Sequence, residues 1–104
     1  MRGYELSERA DEDLLGIFSY TIETWGEEQV PVYLNLITTA LERIAGDPFT
    51  MGSKPRNDLT PGCRTFSAGK HFIVYRVQSD GVGVARILHE SMEFSRHVSE
   101  ETFP

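Results

Sequence analysis

The sequence predicts an α+β domain of two layers, with an antiparallel helix hairpin packed on a mainly antiparallel sheet. Three observations carry this. Two successive stretches place apolar residues at three- and four-residue steps, a glycine- and proline-bearing break follows, and three short segments rich in branched and aromatic residues come last, separated by turn signals. With 104 residues and 39% hydrophobic content, the chain is of a size for one domain with one core, spanning 1–104.

The elements follow in order. "YEL" at Tyr4 to Leu6 alternates as a short strand and runs into Ser7, a good helix N-cap. Glu8, Asp11, Glu12 and Asp13 then favour the positive end of a helix dipole. Ala10, Leu14, Ile17, Phe18, Thr21, Ile22 and Trp25 draw an apolar stripe that Gly26 ends, and this places Trp25 in the core. A second stripe of Val30, Tyr33, Leu34, Ile37, Leu41, Ile44 and Ala45 runs to "AGDP", and Tyr33 is also assigned to the core. Pro31 is compatible with a helix only in its first turn, so this one starts near Glu27 or Glu28. So short a link makes the two helices an antiparallel hairpin.

"FTMGSKPRNDLTPG" has no sustained period and reads as a loop, with a short edge strand near Asp58 and Leu59. "CRTFSA", "HFIVYRVQ" and "VGVARILH", separated by "GK" and "SDG", are three antiparallel strands. Their alternation groups Arg64 with Phe66, Phe72 with Val74 and Arg76, and Val84 with Arg86 and Leu88. The sheet face away from the helices is expected to be free. Function is then expected there, or along the groove between hairpin and sheet edge.

Charge is unevenly spread. Residues 1–47 carry a net charge of -7 and residues 48–98 one of +3, within a total of -6. The total argues against general affinity for nucleic acid or anionic membrane, while the basic half suits a nucleic acid or an acidic protein segment. No apolar run approaches a membrane span, and "MRGYELSERA" lacks the regions of a signal peptide, so a cytoplasmic protein is expected. The single cysteine, Cys63, is read as a small strand residue, with a reactive thiol as the alternative. No cysteine and histidine spacing matches a metal site.

The motifs "LSERADEDL", "YTIETWGEEQVPVYL", "PGCRTFSAGKHFIVYRV" and "RILHESMEFSRHV", together with the order strand, helix hairpin and meander, resemble the ParE branch of the RelE/ParE toxins of toxin–antitoxin systems. The resemblance covers nearly the whole chain. It implies a cytoplasmic toxin without cofactor or metal, held inactive in a hetero-oligomer with a ParD-type antitoxin, and a poison of DNA gyrase that blocks replication. It implies no sequence-specific nucleic-acid binding by the toxin alone. The alternatives it leaves are a ribosome-dependent mRNA endonuclease of the RelE type and a non-toxic antitoxin-binding relative.

Candidate residues follow from these readings. Arg64, Arg76 and Arg86 lie within short strands and need anionic or carbonyl partners, either inside the protein or on an acidic antitoxin. Met92, Phe94, Arg96 and His97 in the tail are candidates for target contact. RNA cleavage needs a base, an acid and cations for the developing phosphorane charge, roles for which Arg64, Arg86, His89 and His97 are the candidates. The chain is acidic overall and has only Lys54 and Lys70 as lysines, so a toxin that binds rather than cuts is favoured. The structural alternative for His89 is a hydrogen bond to backbone or to Glu90 or Glu93, and for His97 a place on a final helical turn.

Overall fold

The computed structural model describes residues 3–104. Strand β1 (Gly3–Leu6) leads into α1 (Glu8–Trp25), a short 3-10 turn (Glu27–Gln29), α2 (Val30–Gly46), β2 (Lys54–Pro55), β3 (Arg64–Ala68), β4 (His71–Gln78) and β5 (Gly81–His89). Two further 3-10 turns, Phe94–Arg96 and Glu100–Thr102, form the tail. The sheet runs β1-β5-β4-β3-β2, with β1 parallel to β5 and the other pairs antiparallel. This is the α+β arrangement the sequence predicts. The edge strand lies at Lys54–Pro55, however, and Asp58 and Leu59 sit in a turn, because the Arg56 N–H bonds Cys63 O at 2.7 Å and its guanidinium clamps Asp58.

Ser7 caps α1 by accepting the Ala10 N–H at 3.0 Å, as its position foretold. On α1, Ala10, Ile17 and Thr21 are buried and Leu14 packs against the core. Trp25 is 68% exposed, which corrects its assignment to the core. Fifteen residues after Ala10 at about 100° each, it stands roughly 60° off the axis of the buried stripe, and Ile22 stands about 120° off. Helix α2 begins at Val30 with Pro31 in its first turn, and the 3-10 turn occupies the residues expected to start it. Ile37, Ala40, Leu41, Ile44 and Ala45 pack on Ile73, Tyr75, Val82, Val84 and Ile87 to make the helix-side core.

One register shift separates Val74↔Arg86 from Tyr75↔Val84, leaving Ala85 without a partner across the ladder. This bulge flips the alternation. Val84 therefore faces the helix-side core and Leu88 the opposite side, so the grouping of Val84, Arg86 and Leu88 on one face does not hold. Helix α1 serves the bulge. The Ser7 Oγ–H donates to Ala85 O at 2.6 Å, and Asp13 Oδ2 accepts the Ile87 N–H at 2.9 Å.

The far face of the sheet is not free. Val98 and Phe103 of the tail cover Val74, Ala85, Leu88 and Cys63, with Leu59 and Phe94 beside them. Phe94 meets Phe72 edge to face at 5.6 Å, and Phe103 lies under the Arg76 guanidinium at 4.2 Å. The tail is apolar at the positions that touch the sheet, Phe94, Val98 and Phe103, which are spaced too irregularly to show as a period. Val98→Ala is expected to cost about 1.5 kcal/mol, two buried carbon groups at ~0.8 kcal/mol each, in urea unfolding. Wild-type stability for that variant would show that the tail does not seal the sheet.

Candidate functional site

The structure distributes the predicted site residues over separate surroundings. Arg64 starts β3 on the helix side, opposite Tyr75, and donates through Nε to Ser53 Oγ at 2.8 Å and through Nη2 to Ser53 O at 3.3 Å. Arg76 points to the other side, where Nη1 pairs with Glu100 Oε1 at 3.0 Å. Arg86 is gripped in a fork by Asp13, with Nε–Oδ2 and Nη2–Oδ1 both 2.8 Å and the two side chains only 11% and 14% exposed. Its guanidinium pKa is raised by that bond to Asp13. Each of the three arginines thus has an internal partner.

A cleft of about 440 Å³ brings Arg86 together with Arg9, Arg96, His97 and Glu101. Arg96 also pairs with Glu93 at 2.9 Å. His97, half-buried, caps the 3-10 turn Phe94–Arg96 from outside it, and the final turn is Glu100–Thr102, so His97 does not lie on a final helical turn. His89 and Met92 belong elsewhere, to a groove of about 460 Å³ between α1 and the ends of β4 and β5, lined also by Glu12, Tyr20 and His71. The four residues cast for RNA cleavage are therefore split: Arg86 and His97 line one cleft, His89 another groove, and Arg64 holds the loop that precedes β2. Of the alternatives expected for His89, the backbone one holds: its Nδ1 accepts the Ser91 N–H at 3.1 Å and lies 2.7 Å from Ser91 Oγ. Burial pushes the Cys63 thiol up to about 11, which sets the reactive-thiol alternative aside.

A group that sequence reasoning missed lies where α2 meets the β3–β4 turn. The Tyr33 hydroxyl accepts the Lys70 N–H at 3.1 Å and lies within hydrogen-bonding distance of His71 Nδ1, at 2.6 Å. His71 in turn meets His89 edge to face at 5.3 Å. The signal was present only as Tyr33 on a helical stripe and a histidine after a turn, which periodicity cannot join. Gly69 makes the turn at φ +63°, where a Cβ would strike Leu36 at 2.7 Å and the Tyr33 hydroxyl at 2.9 Å.

His71 is buried, and its pKa is lowered from 6.5, first by desolvation and then by His89, against the opposite pull of Asp13 and Glu90. A histidine with a depressed folded-state pKa leaves stability unchanged above its unfolded pKa and removes it as pH falls below, because the unfolded chain then binds more protons. The melting temperature is expected to fall as pH drops through the ordinary histidine range near 6.5, and His71→Gln to flatten that fall. An unaltered pH profile in the variant would remove His71 as its source.

The helix hairpin exposes more apolar surface than the core pattern requires. Leu15, Tyr20, Ile22 and Trp25 on α1 and Val32 and Leu36 on α2 are each at least 43% exposed. Val32 and Leu36 border a groove of about 430 Å³ between α2 and β3, floored by Tyr33, Ala40, Phe66 and Ala68. Past Thr65, β3 has no strand partner on its outer edge among the described residues, since β2 pairs only with Arg64 and Thr65. No group of three or more metal-ligating side chains occurs among the described residues, and no helix there is long and apolar enough to cross a membrane.

Comparison with known proteins places this geometry. Residues 4–94 match the family model described as ParE toxin of type II toxin-antitoxin system, parDE. Toxin ParE1 of Caulobacter vibrioides is 38% identical over 98 residues, covering 94% of this chain and 99% of the relative. Toxin ParE1 of Mycobacterium tuberculosis is 34% identical over 96 residues, covering 91% and 96%. A solved structure titled as a chromosomal ParDE TA system from P. aeruginosa superposes with a TM-score of 0.73 at 19% identity, over 86% of this chain and 96% of that one, and so shares the fold. With its helix hairpin, mixed sheet and this likeness in sequence, the chain belongs to the ParE toxin family.

Proposed function

We propose that the chain is a toxin neutralised by direct binding of a ParD-type antitoxin, and that its target is DNA gyrase, which it holds with DNA cut. The observation that carries the first part is the exposed apolar surface of the hairpin with its open groove along α2 and β3. Patches of this kind on a small protein mark a docking site, and an amphipathic helix or an extended segment fits the groove. The match to the parDE family model supports a partner of that type. The pair would work in the cytoplasm as a hetero-oligomer.

The action on the target is read as binding without catalysis or cofactor. A poison must favour the cut state over the others, which needs differential affinity and no bond-breaking by the toxin. The internal partners of Arg64, Arg76 and Arg86 and the separation of His89 from His97 support this. The RNase alternative rests on one feature, the cleft that gathers Arg9, Arg86, Arg96 and His97. Controlled expression tests the pairing. Growth arrest by the chain alone, relieved by co-expressed antitoxin, supports a toxin, whereas unimpeded growth would favour a non-toxic antitoxin-binding relative.

A further inference from the structure

Between α2 and β2 the chain reaches out to a tip at Phe49 and Met51, which are 64% and 90% exposed. Apolar side chains on a loose loop would fold back onto the nearest apolar surface. Here the loop is strapped in place. The Tyr75 hydroxyl, on a fully buried residue, donates to Pro48 O and accepts from Ser53 Oγ. Arg64 holds Ser53 as described, and its guanidinium lies 4.8 Å from the centre of the Phe49 ring. Asp47 Oδ1 accepts the Phe49 N–H at 3.1 Å, Arg43 Nε donates to Thr50 Oγ1 at 3.3 Å, and two tight turns join Thr50 to Asp47 and Ser53 to Thr50. The ordering entropy that binding would cost is already lost on folding.

The charge around the tip is specific too. Arg43 and Arg64 bond the loop and Lys54 lies within it, while Asp47 is the one carboxylate of residues 47–55, on a molecule whose net charge is -6. Fixed apolar anchors inside a cationic rim are the parts of a hot spot, whose complement is an apolar socket edged with carboxylates. Duplex DNA offers no such socket, and the acidic α1 would repel it. A second copy would have to bring its acidic helix to this loop. That is a heterologous contact, in which the loop of one copy meets a different surface of the next, and the basic loop finds no second copy of itself to pair with. None of residues 47–55 lines the groove between α2 and β3, which the loop adjoins through Arg43.

We propose that the 47–55 loop, presenting Phe49 and Met51, is a docking element for a protein that carries an apolar socket rimmed by carboxylates, and that this protein is the toxin's target and not its antitoxin. The inference rests on the reading of the chain as an active toxin. It makes the loop, and not only the tail, a target-facing surface.

The test compares the full chain with a Phe49→Ser, Met51→Ser double variant and a Phe49→Leu, Met51→Leu double variant, each shown to melt cooperatively near the parent temperature. Survival on induction should rise about thirtyfold for the serine pair and stay at the parent level for the leucine pair, with antitoxin affinity within about threefold of parent for both. Undiminished arrest by the serine pair overturns the proposal. So does a loss of antitoxin affinity matching the loss of toxicity, since the loop would then face the antitoxin. Binding of labelled duplex DNA, or self-association in sedimentation, that only the serine pair abolishes would also overturn it by naming a different occupant. A parent that arrests growth without gyrase-dependent DNA cleavage contradicts the gyrase reading alone and leaves the comparison of the two variants decisive. A parent that does not arrest growth contradicts both.

Discussion

Asp13→Ala is expected to cost about 4 kcal/mol of stability, a large share of the roughly 5–15 kcal/mol that holds a domain of this size. The loss has two sources. Removing the carboxylate leaves the Arg86 guanidinium, 11% exposed, without its counter-ion, and breaking one half of a buried pair leaves an uncompensated charge. It also strips the acceptor from the Ile87 N–H, next to a bulge whose Ala85 carbonyl is already served by a side chain of the same helix entry. Arg86→Met alone should cost less, because Asp13 keeps the Ile87 N–H. The combined Asp13→Leu, Arg86→Met variant should recover much of the loss over Asp13→Ala, as buried pairs often tolerate apolar replacement. Urea unfolding of the three variants is the measurement. An Asp13→Ala variant within 1 kcal/mol of wild type would mean that the fork does not hold α1 to β5. Because Arg86 also lines the cleft considered for RNA cleavage, this comparison separates a structural arginine from a chemical one.

Val32→Lys with Leu36→Lys is expected to weaken antitoxin binding about a hundredfold, with unfolding free energy unchanged to within about 0.5 kcal/mol. Both side chains are exposed in the free chain, at 62% and 43%, so folding does not depend on their burial. Both border the groove between α2 and β3, so a segment lying in it must bury two ammonium groups or leave them at the rim. Titration calorimetry with the purified antitoxin reads the difference. Parent affinity for the double variant would move the antitoxin off this face and return attention to Arg64, Arg76 and Arg86.

What the sequence made legible were features with local signals. Ser7, the stripes of α1 and α2, Pro31 in the first turn and the turn signals before β4 and β5 placed nearly every element, because caps, periods and turns are set within a few residues. What it hid depends on contacts distant in sequence. The bulge at Ala85 changes which face Leu88 occupies, and its bonds come from Ser7 and Asp13, more than seventy residues away. The tail covers the sheet through Phe94, Val98 and Phe103, too few and too irregular to mark a period. Trp25 misled because a large apolar residue at the margin of a stripe fits the core pattern equally well whether or not a neighbour covers it. The candidate arginines were legible as groups needing partners, and the partners Asp13, Glu100 and Ser53 were not.

The central claim, that this ParE-family chain poisons gyrase by binding, is tested most directly by incubating the purified chain, freed of antitoxin, with gyrase, ATP and supercoiled DNA, and then treating the mixture with detergent and protease. Linear DNA that rises with toxin concentration and disappears when antitoxin is added is the expected result. Supercoiled DNA left uncut by protein that melts cooperatively and arrests growth would contradict it, and would turn the search to the ribosome and to Arg86 and His97.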